Sequence, residues 1–371
     1  MNFTISRGAF IDALQQVVNV IEKKQTLPIL SHILLNAEHQ KISLTGTDQE
    51  VEVKMTISSE ESDLTVSEEG QLAVPGRKLL DICKNLPADS RIAVNVADRR
   101  FTLNSGEFES QLATLPAMDF PNLEHEEDTD SSFELPAAVL KMMLDKTSFA
   151  MAQQDVRYFF NGMLFEQEDS VLRLVATNGQ RLAMTDTTVE NTGNRVRVIV
   201  PRKGIIELQR LISDSREGIK IAFTDNHMVL LAGAARLTTK LIDAEYPDYS
   251  KAIPVAGDNS IQCKRTNLRE ALVRTSILSN EVYKNVKLSA GDNALELFTN
   301  NPQQEKATEK LSISYKGLPL EIGFNVNFLI EALSVMTGDT LVMQLSTSTS
   351  PCLLNDPDDL HSQYVISPMV V

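Results

Sequence analysis

The stretch Val200-Pro201-Arg202-Lys203-Gly204-Ile205-Ile206-Glu207-Leu208-Gln209-Arg210-Leu211-Ile212 decides the fold, because the chain contains versions of it three times. An earlier copy reads Val74-Pro75-Gly76-Arg77-Lys78-Leu79-Leu80-Asp81-Ile82-Cys83-Lys84-Asn85-Leu86. A more divergent one reads Phe324-Asn325-Val326-Asn327-Phe328-Leu329-Ile330-Glu331-Ala332-Leu333-Ser334-Val335-Met336. The copies begin roughly 125 residues apart, the signature of tandem structural repeats. Each copy reads as a short amphipathic helix entered from a strand. Pro75 and Pro201 are expected at the first helical position, where the missing N–H has no partner to lose. Apolar residues recur at spacings of three and four: Leu79, Ile82, Cys83 and Leu86, then Ile205, Leu208, Leu211 and Ile212. The opposite face carries Arg77, Lys78 and Lys84, then Arg202, Lys203 and Arg210. A single basic face is ordinary solvated surface; a repeated one is a pattern.

The chain has 371 residues, enough for two or three domains, and the repeat selects three: residues 1–124, 130–252 and 253–371. Hydrophobic content of 42% lets each third bury a core. No segment approaches the length of an apolar membrane span, and Met1 to Arg7 lacks signal-peptide design, so a soluble cytosolic protein is expected. The three cysteines, Cys83, Cys263 and Cys352, and the five histidines are scattered without metal-ligand spacing. No metal, cofactor or nucleophile is expected. A formal charge of −15 weighs against nucleic acid. Its distribution weighs the other way: of six expected helix stretches, 7–24, 74–86, 139–147, 200–213 and 264–275 are each net basic, and the remainder is strongly acidic.

The order of elements also repeats. In the first third, Phe3 and Ile5 alternate as a strand, and Ser6 is expected to cap a helix through Phe10, Leu14, Val17, Val18 and Ile21. Strands are expected at 33–37, 42–48, 51–55, 92–96, 101–103 and 111–115, an antiparallel meander. Glu124 to Asp130 is an acidic connector. In the second third Pro136 opens a helix, strands are expected at 161–166, 172–178 and 181–185, and Tyr246-Pro247-Asp248 matches Phe120-Pro121-Asn122. The last third offers a helix through Leu268, Ala271, Leu272 and Ile277, whose basic face, Lys264, Arg265, Arg269 and Arg274, is the richest in the chain. The apolar residues 364–371 are expected to dock as a final strand. The fold class is α+β, with two helices of each repeat on the apolar face of antiparallel sheets. Three such units form a rod, an arc or part of a ring.

Several stretches resemble the bacterial replicative sliding clamps, the beta subunits of DNA polymerase III. They include Thr26-Leu27-Pro28-Ile29-Leu30, Ser43-Leu44-Thr45-Gly46-Thr47-Asp48, Gln153-Gln154-Asp155-Val156-Arg157-Tyr158, Asn161-Gly162-Met163-Leu164-Phe165-Glu166, Val200-Pro201-Arg202-Lys203-Gly204, Ile277-Leu278-Ser279-Asn280-Glu281 and Glu321-Ile322-Gly323-Phe324-Asn325-Val326, and they span the chain. The resemblance implies a non-catalytic processivity factor: a head-to-tail homodimer of three clamp domains per chain, with helices lining a hole and sheets outside. Twelve helices about 9 Å apart enclose a bore of roughly 24 Å, wide enough for a duplex of about 20 Å. Basic helices then offset phosphate repulsion inside, and topology rather than affinity supplies the grip.

By the same resemblance Lys24, Arg77, Lys78, Gln154, Tyr158, Arg202 and Lys203 touch DNA, without sequence specificity. Ile277 and Leu278 belong to the dimer contact. Short linear motifs of the replicative polymerase, the clamp loader, translesion polymerases and repair factors dock in an apolar cleft at Phe160, Thr177, Gly179, Arg181, Leu182, Pro247, Lys251, Ile366, Pro368 and Met369. Gln180 stands where the family commonly has His, Ser367 where it has Met, and Val370-Val371 where it has Arg-Leu. These departures leave the peptide preference open. Two other function classes fit the sequence less well. An enzyme would need organised acid–base or phosphate-binding residues, and no glycine loop, nucleophile elbow or metal spacing supplies them. A scaffold that binds only proteins fits the acidity but not the basic helix faces.

Overall fold

The computed structural model describes residues 1–21, 27–60, 62–123, 131–190, 195–213, 218–255 and 259–370. Lys24, the acidic connector 124–130 and Val371 lie outside the described residues. Among the described residues every strand pairing in the four sheets is antiparallel, as alternating apolar and polar positions require. Six helices are described: α1 Arg7–Val18, α2 Gly76–Lys84, α3 Ala137–Thr147, α4 Arg202–Ile212, α5 Arg265–Ser276 and α6 Val326–Val335. None is long and apolar enough to cross a membrane.

The chain divides into two contact units, residues 1–138 with 206–241, and residues 139–205 with 242–371. In the first unit, Thr65–Glu68, Asn2–Ser6, Arg91–Ala97, Arg100–Ser105 and Phe108–Ala113 form a five-stranded sheet in that order. An eight-stranded sheet runs from Ser131–Pro136 through Gly218–Phe223, His227–Ala232, Ala235–Lys240, Val51–Ser58, Lys41–Thr47 and His32–Glu38 to Gly70–Pro75. Its middle is a seam: Val51–Ser58 pairs with Ala235–Lys240, from the repeat that follows. α1 lies so close over this sheet that a Cβ on Gly46 would stand 2.3 Å from the Val17 carbonyl oxygen, so only glycine fits.

The second unit repeats the scheme. Its nine-stranded sheet joins Arg181–Thr188 of the central repeat to Asp359–Ile366 of the last, and a four-stranded sheet runs Lys306–Ser312, Ala294–Asn300, Asn285–Gly291, Leu320–Asn325. The central repeat therefore lends strands to both units. Three repeats in sequence become two groupings in space because sheet edges that would otherwise expose N–H and C=O groups pair with the adjacent repeat.

Several local expectations needed correction. Pro75, Pro136 and Pro201 are each the last residue of a strand, and the helix starts one residue later. All three strands lie at sheet edges, where a residue without an N–H costs no ladder bond. Ser6 stands at the N-terminal cap of α1 but its side chain makes no capping bond; α1 ends at Val18, well short of residue 24, before the turn Pro28–Ser31. The final strand stops at Ile366, because Pro368 cannot donate; Met369 N then makes an isolated bond to Gly323 O at 2.9 Å.

The basic residues are also less free than the sequence suggests. Arg7 donates to the carbonyls of Cys83 (2.9 Å) and Lys84 (2.8 Å) at the end of α2, and Arg265 donates to Leu333 (3.0 Å) and Gly338 (2.7 Å) at the end of α6. Each caps the C-terminal carbonyls of its repeat's second helix. Arg274 is held bidentate by Glu309, at 3.1 and 2.6 Å. Of the last repeat's basic face, Arg274 is thus paired with a carboxylate, while Arg265 and Arg269 bond uncharged oxygens and keep their charge.

Candidate functional site

The site begins with a turn the chain builds twice. In the first repeat Thr47 Oγ1 donates to Val51 O (2.9 Å) and accepts from Gln49 N (3.0 Å), while Asp48 Oδ1 accepts from Glu50 N and Val51 N. In the second, Thr177 Oγ1 donates to Arg181 O (2.6 Å) and accepts from Gly179 N (3.0 Å), while Asn178 Oδ1 accepts from Gln180 N and Arg181 N. Such side-chain bonds fix a tight turn at a strand end. Its third residue is left-handed in both, Gln49 at φ 76° and Gly179 at φ 86°. In the second, a Cβ would lie 2.9 Å from the Arg157 guanidinium, so a larger residue would have to displace the end of that side chain.

That guanidinium stacks on the Phe160 ring, 4.7 Å from its centroid, and is gripped by Asp155 through two bonds of 3.0 and 2.9 Å. The Arg157 bonds hold the Asp155 carboxyl down at about 2. Beyond Phe160 opens a cavity of about 260 Å³. It is lined by Phe160, Thr177, Gly179, Arg181, Leu182, Pro247 and Lys251, with Gln180, Asp248, Tyr249, Ala252, Pro351, Val365 and Ser367. Phe160 and Leu182 are also core residues, 7% and 4% exposed, so the cavity floor is the outer surface of the core. The Arg181 guanidinium turns inward: it pairs with Glu331, donates to Phe149 O and stacks on Phe328 at 4.5 Å.

Three residues assigned to the cleft by resemblance are not among those that line this cavity. Ile366 is buried and absent from the lining, since neighbouring residues on a strand face opposite ways and Val365 and Ser367 take the cavity side. Pro368 and Met369 line a separate cavity of about 420 Å³ with Ile322, Gly323 and Thr349. Strand alternation could have found Val365; Tyr249 and Pro351 carry no sequence signal and come together only in the fold. A larger basin of about 920 Å³ adjoins the turn, lined among others by Asp155, Arg157, Arg181, Arg202 and Glu331.

Of the residues assigned to DNA, Arg77 and Lys78 belong to the first unit and Gln154, Tyr158, Arg202 and Lys203 to the second. Arg77 is half-buried and donates to Ile21 O, while Lys78 is exposed. Gln154 and Tyr158 are exposed, Arg202 points at Met151 O (3.5 Å), and Lys203 is half-buried. At the end of α5, Ile277 is 76% exposed beside Leu278, and Val282 and Tyr283 add exposed apolar surface. Among the described residues no group of His, Cys, Asp or Glu could hold a metal ion. Burial pushes the Cys83 thiol up to about 12 and the Cys263 thiol to about 11, which leaves both inert as nucleophiles at neutral pH.

Comparison with known proteins gives one answer along the whole chain. Family models for the DNA polymerase III beta subunit match residues 1–124 (N-terminal domain), 134–248 (central domain) and 250–370 (C-terminal domain). The beta sliding clamp of Pseudomonas putida is 43% identical over 370 residues, and that of Escherichia coli 38% over 369, each covering 100% of both chains. The crystal structure of the DNA polymerase III subunit beta from Pseudomonas aeruginosa superposes with a TM-score of 0.96 at 42% identity, again over 100% of both chains.

Proposed function

The chain belongs to the DNA polymerase III beta-subunit family, and on that premise we propose that two copies close head to tail into a ring around duplex DNA. As a family member it is a sliding clamp, a non-catalytic processivity factor of DNA replication that binds DNA and polymerase. Three clamp domains, 1–124, 130–252 and 253–371, are the units of the ring. Two features support closure by dimerisation: Phe108–Ala113 and Lys306–Ser312 are edge strands, and the end of α5 exposes Ile277, Val282 and Tyr283. An unpaired edge with an apolar neighbour is a natural surface for a second copy. Lys24, Arg77, Lys78, Gln154, Tyr158, Arg202 and Lys203 face the DNA and meet its backbone loosely enough to slide.

The 260 Å³ cavity is the tether. Its apolar floor of Phe160, Leu182 and Val365, rimmed by Thr177, Gln180, Ser367 and Lys251, suits an extended peptide with a few polar anchors. The replicative polymerase, the clamp loader, translesion polymerases and repair factors dock there in turn, in the cytoplasm at the nucleoid. The convergence of the Thr177–Arg181 turn, Phe160 and the Pro247 segment on one apolar cavity carries this assignment. Loading the protein onto nicked circular DNA with an active loader and ATP, then linearising half the sample, tests encirclement. Retention on circles with loss from linear DNA is expected; equal retention on both would replace the ring with ordinary affinity.

A further inference from the structure

The turn that frames the cleft occurs in both the first and second repeats, yet the residues around it differ in kind. Register makes the comparison exact to the residue. Gln71, Asn36, Ser43 and Thr56 lie side by side across four strands of the first repeat, and Arg197, Glu166, Arg173 and Asp186 occupy the same row of the second. A neutral row has become a ladder of alternating charge. Arg197 bonds Glu166 at 2.7 Å, Arg173 stands 3.6 Å from Glu166 and 3.8 Å from Asp186, and Asp186 accepts from His361 at 2.8 Å. Glu166 is 6% exposed, so the ladder carries a desolvation cost that sheet pairing alone does not demand.

What the ladder holds is Tyr249. Its hydroxyl donates to Glu166 Oε2 at 2.5 Å and accepts from Arg173 at 3.1 Å, while its ring packs on the core beside Leu182 and Val365 and lines the cleft. The matching residue of the first repeat is Leu123, which has no hydroxyl. There the backbone N–H of Leu123 donates to Glu52, at 3.3 Å, and Glu52 stands where the cleft has Leu182. The cleft wall from Pro247 to Ala252 is otherwise a short exposed turn, its Lys251 paired with nearby Asp248 at 3.1 Å.

We propose that Tyr249 is a positioning residue of the cleft: bonds from its hydroxyl to Glu166 and Arg173 fix its ring, and with it the Pro247–Ala252 wall, before a peptide arrives. This rests on the assignment of the cavity as the peptide site. A wall set in advance spares the peptide the cost of ordering it, so the anchor acts on affinity without touching the peptide.

The test measures binding of the purified catalytic subunit of the cognate DNA polymerase III to the full-length chain by surface plasmon resonance, with thermal melts of each variant. Tyr249→Phe should weaken binding roughly tenfold, by loss of a hydroxyl bond to a charged group. Glu166→Leu should weaken it as much, and the Tyr249→Phe/Glu166→Leu double variant no further. Glu166→Gln, which loses the same charge but keeps an acceptor for the hydroxyl, should bind within about twofold of the parent, a rescue that a purely structural role would not give. Binding unchanged in Tyr249→Phe, or equal loss in Glu166→Gln and Glu166→Leu, overturns the proposal. Gln180→Trp, which fills the cavity mouth from an exposed position, separates the two failures. If it binds polymerase like the parent, the cleft assignment falls; if it blocks binding while Tyr249→Phe does not, only the positioning role falls.

Discussion

Lys146, in the last turn of α3, reaches Asp359 at the start of the strand Asp359–Ile366, with Nζ and Oδ2 2.5 Å apart. The side chains are 8% and 14% exposed, so this is a buried pair, and it anchors the strand that carries Val365 to the cleft. Replacing Lys146 with Met leaves Asp359 buried without its partner, which costs about 3–5 kcal/mol. For a unit of about 200 residues that corresponds to a fall in Tm of roughly 6 to 20 °C. The cost should depend on pH. Burial pushes the Asp359 carboxyl up, but the bonds from Lys146 and Ser362 outweigh it and hold the group below the usual 3.8. Its stabilisation is therefore complete above the unfolded value and lost as pH falls through the lowered folded one. In Lys146→Met the Lys146 bond no longer opposes burial, although Ser362 and the His361 N–H still do, so the carboxyl rises relative to the parent. The variant then protonates Asp359 more readily than the parent as pH falls, so its deficit should be smaller at pH 4 than at pH 7. Lys146→Met/Asp359→Leu, with neither charge, should recover most of the loss. Thermal and urea melts at pH 7 and pH 4 measure all three. An equal deficit at both pH values, or no recovery in the double variant, would refute the account of a desolvated pair.

Gly179→Ala forces a Cβ into the Arg157 guanidinium from a left-handed backbone; we expect a loss of about 1–2 kcal/mol in stability and weaker polymerase binding, read by melts and plasmon resonance. Arg274→Gln should shift Tm by no more than about 2 °C and leave the salt dependence of DNA binding unchanged, since Glu309 already occupies that charge. Lys78→Gln should lower the slope of log K against log salt by about one unit in fluorescence titrations of short duplexes. Cys83, Cys263 and Cys352 have thiols raised by burial, so a disulfide reagent at pH 8 should label none in the folded chain and three after denaturation.

Much of this was legible in the sequence. The repeat of Val200 to Ile212 at Val74 and Phe324 set the number of repeats at three, as the three family models match, and apolar spacing fixed the buried faces of α2 and α4: Leu79, Cys83, Ile205 and Leu208 are all buried. The Thr177–Arg181 turn was recognisable because turn residues bond their own neighbours, a local event. Basic residues were harder to place. Arg7, Arg265 and Arg274 read as surface charge, yet each is spent on a partner at least 35 positions away.

Local periodicity, turn chemistry and repetition are properties of neighbours along the chain, so the sequence determined the α+β class, the three repeats and the family. Strand partners, cavity linings and the ends of long side chains depend on residues far apart in sequence. Tertiary structure alone therefore decided that the seams join Val51–Ser58 to Ala235–Lys240 and Arg181–Thr188 to Asp359–Ile366. It also put Val365 rather than Ile366 in the cavity wall, and brought Tyr249 to Glu166 across 83 positions of chain, because a hydrogen bond reads distance in space and carries no trace of distance in sequence.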